Sequence, residues 1–154
     1  MANTFHQIYI HIIFSVKARQ HLLPKSKKTE LHKYIAAVIN NNNCKPILIN
    51  SMPDHIHIFV GLHPSVSIST LVKDIKLATN QLINKRKWIR GKFAWQKGFG
   101  VFSYSHSHID RVYKYIENQE KHHTKQSFQK EYISFLKKFK IEYDSNYVFD
   151  IEEE

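Results

Sequence analysis

Between Phe5 and Val16 the chain alternates: Ile8, Ile10, Ile12 and Phe14 fall on one face, Tyr9, His11 and Ile13 on the other. That is the period of a β-strand. From Lys28 to Asn42 the period lengthens, with Leu31, Ile35, Val38 and Ile39 at helical spacing until the asparagine run 40–43 stops the helix. Residues 46–51 read as a second strand, Pro53-Asp54 as a turn, and His55 to Leu62 as the returning strand of a hairpin. Ser67 is placed to cap a helix reaching about Lys87, with Ile68, Leu71, Val72, Ile75, Leu82 and Ile83 as its buried stripe. Strand-like pieces follow at Phe93–Trp95 and Val101–Tyr104. Ser107-His108-Ile109-Asp110 has the form of a capping box with Asp in place of Glu, opening a helix through about His122. Phe128, Tyr132, Phe135, Leu136 and Phe139 space out a last helix.

The order β-α-β-β-α-β predicts an α+β, ferredoxin-like (RRM-like) antiparallel sheet with helices on one face. The strand from His55 is then central, and its second face is expected to stay open, where a nucleic acid could lie. At 154 residues the chain is expected to form one domain, 1–154, with its core over about 4–140 and an acidic tail over about 142–154. No apolar stretch approaches the roughly 20 residues that span a bilayer, and the first residues do not read as a signal peptide. A lone cysteine, Cys44, excludes an internal disulfide framework and a Cys-rich zinc site. These features predict a cytoplasmic protein with no membrane partner.

Charge sharpens the expected partner. The net charge is +10, but six of the thirteen acids lie after residue 141, where there is no Lys or Arg. Residues 1–141 therefore carry 23 basic and 7 acidic side chains, a net of +16. Such an excess favours a polyanion, because each neutralised phosphate releases condensed counterions.

Candidate chemistry begins at Met52-Pro53-Asp54-His55-Ile56-His57. Strand alternation sends Ile56, Ile58, Val60 and Leu62 to one face and sets His55 beside His57 on the other. Neutral imidazole is the commonest protein metal ligand, so the pair reads as the start of a metal site or, alternatively, as structural. On the helix from Ser107, Ile109, Val112, Tyr113 and Ile116 follow the i, i+3, i+4, i+7 pattern, which makes Tyr113 core. Tyr115 falls roughly 110° from the centre of that stripe. Gln119 lies one turn on, with His108, Arg111 and His122 near.

Three elements in series, Met52 to His57, Trp95 to Ser105, and Tyr115-Ile116-Glu117-Asn118-Gln119, carry a resemblance. The chain resembles the single-tyrosine HUH transposases of small bacterial insertion sequences, relatives of the REP-associated tyrosine transposases, from about Thr4 to Tyr132. The resemblance implies that His55, His57 and Gln119 bind a divalent metal, Mg²⁺ or Mn²⁺, and that Tyr115 is the nucleophile, on a C-terminal helix. It also implies single-stranded DNA hairpins at element ends as substrate, and a homodimer whose tyrosine helices can act in trans. Two imidazoles on their own suit zinc or copper better than magnesium.

The implied reaction is cleavage and rejoining of single-stranded DNA through a 5′-phosphotyrosine. Asp54, His11 and metal-bound water are the candidate bases. For DNA contact the residues to expect are Lys73, Lys76 and Asn80 on the second helix, then Lys85, Arg86 and Arg90, with Arg111 near Tyr115. Trp88, Trp95 and Phe99 are interleaved with the basic residues as a stacking platform would require, or belong to the core. Two other readings keep the fold: a non-catalytic nucleic-acid-binding module, and a metal-dependent nuclease using water.

Overall fold

The computed structural model describes residues 4–123 and 127–143, with backbone alone for His122 and His123. Strands β1 (Tyr9–Ser15), β2 (Lys45–Met52), β3 (His55–Gly61) and β4 (Gly100–Tyr104) form one antiparallel sheet in the order β2-β3-β1-β4. Helix α1 (Lys28–Asn41) joins β1 to β2, and α2 (Ile68–Lys85) joins β3 to β4. This is the ferredoxin-like arrangement that the element order implies. After β4 come α3 (Ile109–Glu117), α4 (Gln119–His123) and α5 (Phe128–Lys138). No helix among the described residues is long and apolar enough to cross a membrane.

Local chemistry sets these boundaries. Asn43 leaves α1 in the left-handed region at φ 61°, a conformation that asparagine tolerates. The Ser67 hydroxyl accepts from the Thr70 N–H at 3.1 Å and caps α2 as expected. The register of β2 against β3 shifts between Pro46 and Leu48, where proline supplies no N–H to the ladder of this edge strand. Phe93–Trp95 does not form a strand: Trp95 makes a single bridge to Val16, and its buried ring belongs to the core.

The main core lies between the sheet and the two crossover helices. Ile10, Ile12 and Phe14 of β1 and Ile56, Ile58 and Val60 of β3 meet Leu31, Ile35 and Ile39 of α1 and Leu71, Val72 and Ile75 of α2. The opposite sheet face is not open, which corrects the expectation of an exposed surface. Ile13 of β1 and Phe102 of β4 pack there with Phe128, Phe135 and Leu136 of α5. Phe59 packs on the same side with Val112 and Ile116 of α3. Both β1 and β3 are buried on two faces, the second carrying Ile13 and Phe59 among the histidines.

Two further expectations are corrected. The segment from Ser107 is not one helix to His122, because Asn118 closes α3 and Gln119 starts α4. The capping box does not form: α3 opens without a side-chain cap, and the Ser107 hydroxyl bonds Ser105 and His108 instead. Within α3, Tyr113 is 37% exposed, and Tyr115 is the half-buried one. The packed stripe is Val112, Tyr115, Ile116 and Gln119, an i, i+3, i+4, i+7 set in a different phase, because α3 is covered by α5 as well as by the sheet. Most of the acidic tail, from residue 144, and the side chain of His122 lie outside the described residues.

Candidate metal and tyrosine site

The β2–β3 turn is clamped from both sides. Val16 and Leu23 donate their N–H groups to the carbonyls of Asp54 and Pro53, at 2.9 and 3.0 Å. The turn aims the Asp54 carboxylate at its neighbour, with Oδ1 2.7 Å from His55 Nδ1. Burial alone would raise the Asp54 carboxyl, but the hydrogen bond and charge of His55, with His21, bring it below the ordinary carboxylate value.

His57 is held in the same way from the adjacent strand. His11 Nε2 lies 2.7 Å from His57 Nδ1, and the two rings stack at 5.0 Å. His11 is fully buried, and burial together with His57 drives its pKa well below the usual imidazole value. One hydrogen bond thus joins His11 Nε2 to His57 Nδ1, and His57 Nε2 faces the other way. Both histidines therefore have Nδ1 engaged and Nε2 turned toward α3, α4 and α5, the orientation that outer partners impose on metal-binding histidines.

Two side chains meet those two Nε2 atoms, and a third joins through one of them. Gln119 Oε1 lies 3.4 Å from His55 Nε2 and is fully buried. Glu131 of α5 sets Oε1 3.0 Å from His57 Nε2 and 3.7 Å from His55 Nε2. Tyr115 donates its hydroxyl to Glu131 Oε2. Burial, and then the Glu131 carboxylate, raise the Tyr115 phenol well above its usual pKa, so it stands as a protonated donor. Its ring packs edge-on against Phe135 at 5.6 Å and lies 6.1 Å from the His57 ring. Asn50 of β2 fixes the helix that carries it, donating to the Ile116 carbonyl at 2.7 Å.

His55, His57, Gln119 and Tyr115, far apart in sequence, are thus brought together on one side of the sheet. His55, His57 and Glu131 offer ligand atoms all within 4.8 Å of one another, a buried donor set that fits a divalent cation. Of the expected bases, Asp54 and His11 sit behind the histidines, and the acceptor on the Tyr115 hydroxyl is Glu131. Sequence reasoning passed over Glu131 and Asn50. The signal for Glu131 was an acid three residues after Phe128 and four before Phe135, inside the apolar stripe of α5.

Beside Tyr115 opens a cavity of about 580 Å³ whose lining includes Tyr104, His108, Arg111, Glu131 and Lys138. Arg111 therefore lies at this mouth. Lys73, Lys76 and Asn80 line a separate groove of about 410 Å³ with Trp95 to Phe99, between α2 and the segment leading to β4. In that groove the Lys76 ammonium donates to the Gln96 and Gly98 carbonyls at 2.8 and 2.6 Å. Asn80 Oδ1 is buried with no hydrogen-bond partner among the described residues. Lys85, Arg86 and Arg90 are exposed toward the end of α2 and beyond, with Arg86 paired to Glu30.

Residues 4–119 match a family model described as IS200-like transposase. The chain is 25% identical over 121 residues to the ISDra2 transposase TnpA of Deinococcus radiodurans, covering 74% of this chain and 85% of that protein. A crystal structure of a transposase from Deinococcus radiodurans R1 superposes with a TM-score of 0.60 at 22% identity, over 77% of this chain and 95% of that one. The structure of a REP-associated tyrosine transposase bound to a REP hairpin gives 0.61 at 14% identity, over 80% and 73%. At these identities the two structures establish the shared fold.

Proposed function

Because this chain belongs to the IS200-like transposase family, we propose that it cleaves and rejoins single-stranded DNA with Tyr115 as nucleophile. His55, His57 and Gln119 hold a divalent ion, Mg²⁺ or Mn²⁺. The observation that carries this reading is the convergence of both Nε2 atoms, Gln119 and Glu131, with the Tyr115 hydroxyl bonded to Glu131 and both of those residues lining one cavity.

In the proposed reaction the Tyr115 oxygen bonds to the scissile phosphorus as the bond to the 3′-oxygen breaks. The phenolic proton passes to Glu131 Oε2 and from there to the leaving 3′-oxygen, so the products are a 5′-phosphotyrosine and a free 3′-OH. Attack by a second 3′-OH reverses the sequence, so the phosphodiester is conserved and no external energy source is needed. The ion, when bound, polarises a phosphate oxygen and offsets the charge that develops on it. Arg111 and Lys138 at the cavity mouth give the flanking backbone cationic partners. Lys73, Lys76, Asn80, Lys85, Arg86 and Arg90 form a second basic track on and after α2, for DNA beyond the cleavage point. Recognition of a hairpin at an element end, and a homodimer, complete the proposal.

Incubating the protein with an end-labelled single-stranded hairpin and Mn²⁺, then resolving products on a denaturing gel, tests the reading. The expected result is a covalent protein–DNA adduct, lost in Tyr115→Phe and kept in Tyr113→Phe. Cleavage without an adduct would show a water-using nuclease, and binding without cleavage a recognition module. Either outcome overturns the transposase chemistry.

A further inference from the structure

Glu131 lies beyond the residues that the family model matches, which end at 119. It sits on α5, an element added after the sheet is complete. It is nevertheless only 2% exposed, in the middle of the histidine cluster. We propose that Glu131 is a further protein ligand to the ion, so that the centre is built from two imidazole nitrogens, one amide oxygen and one carboxylate oxygen. This rests on the reading of His55, His57 and Gln119 as metal ligands.

Spacing is the first argument. Two ligand atoms about 2.1 Å from one octahedral ion, at right angles, stand about 3.0 Å apart, and wider angles stretch this toward 4 Å. Glu131 Oε1 lies 3.0 Å from His57 Nε2 and 3.7 Å from His55 Nε2, while Gln119 Oε1 lies 3.4 Å from His55 Nε2. All three separations have the size of edges in one coordination shell. The outer nitrogens of both histidines are already engaged by Asp54 and His11, so the inner pair is pre-aimed.

Charge is the second. Two neutral imidazoles and an amide bring no negative charge to a divalent ion, and on ligand preference they suit softer metals. One carboxylate supplies that charge and an oxygen donor, moving the set toward manganese and magnesium. The burial of Glu131 then has a rationale, since a carboxylate packed beside Phe128 and Phe135 is costly to bury without a cation.

The two carboxylate oxygens divide their work. Oε1 faces the histidines and Oε2 holds the Tyr115 hydroxyl, so one side chain fixes the nucleophile relative to the ion. Since Glu131 is carried by α5, binding the ion also ties α5 to β3 and α4.

Mn²⁺ titration of the full chain, followed by electron paramagnetic resonance, reads this without any DNA. Glu131→Gln is expected to weaken Mn²⁺ about ten- to a hundred-fold and to remove most of the rise in melting temperature that Mn²⁺ gives the unsubstituted chain. Unchanged or tighter Mn²⁺ binding in Glu131→Gln, with loss in His57→Ala, overturns the Glu131 assignment alone. Binding indifferent to both substitutions overturns the metal centre beneath it. Should Glu131→Gln fail to fold, a Mn²⁺-soaked crystal of the unsubstituted chain decides by anomalous scattering. A Glu131 oxygen about 2.1–2.3 Å from the ion is expected, and a carboxylate beyond about 3.5 Å overturns the assignment.

Discussion

Tyr115 and Glu131 share a property that explains how each was misread or passed over. Each occupies a packed helical position, half-buried for Tyr115 and buried for Glu131, that a hydrophobic pattern discounts because the residue, or its neighbour in the stripe, is polar. Across α3 and the start of α4 the packed set is Val112, Tyr115, Ile116 and Gln119, but a pattern that admits only apolar side chains locks onto Ile109, Val112, Tyr113 and Ile116 and turns the wrong tyrosine inward. In α5 the same filter removes Glu131 from between Phe128 and Phe135. The polar groups of the candidate site sit on buried stripes because the cluster lies between layers, so apolar periodicity blurs there. The histidine pair escaped this, since strand alternation does not depend on its members being apolar. Away from the site, burial and then Lys28 lower the His32 pKa from 6.5 to about 4. The folded state refuses a proton that the unfolded chain accepts below about pH 6.5, so stability falls as pH drops from there toward 4. Acid melts at pH 7 and pH 4.5 are expected to show His32→Gln losing less stability than the unsubstituted chain. The difference should be on the order of 1–2 kcal/mol after allowance for solvent screening. Equal losses would mean that His32 titrates normally.

Among the elements, the strands, α1 and α2 were legible because each has a clean period and its own stop signal: the asparagines after α1 and the Ser67 cap of α2. The destination of α5 was not, because an amphipathic stripe says that a helix is covered and not by what. The sign lies in the strands: Ile13 and Phe59 stand on the histidine face, and a face with such residues does not stay wet. The seat of α5 is shaped on β4 by Gly100, where an added Cβ would stand 2.6 Å from the Tyr132 ring. Gly100→Ala is therefore expected to push α5 outward and destabilise the fold by about 1–3 kcal/mol, measured by chemical denaturation. Tyr132→Leu in the same chain should recover part of the loss. A neutral Gly100→Ala would mean that α5 is not seated against β4.

At the scale of the whole molecule, one chain holds Tyr115 beside its own His57, whereas exchange between two chains is the arrangement that a trans-acting dimer requires. Mixing Tyr115→Phe with His57→Ala protein is expected to yield no covalent adduct. Recovery of the adduct on mixing would place the nucleophile and the histidines in different subunits. The sheet order carries one more consequence, for how the molecule comes to exist. β1 lies in the interior of the sheet, yet its partners are the distant β3 and β4, joined at pairs such as Ser15↔His55 and Tyr9↔Tyr104. Pairing so far apart in sequence is slow relative to the closing of α1 or α2. During synthesis β1 emerges before its strand partners, with two unpaired edges and the run Ile10-His11-Ile12-Ile13-Phe14 exposed. His11, which orients His57 from within β1, is thus carried by the segment most open to intermolecular pairing, and aggregation of the nascent chain competes directly with assembly of the histidine cluster.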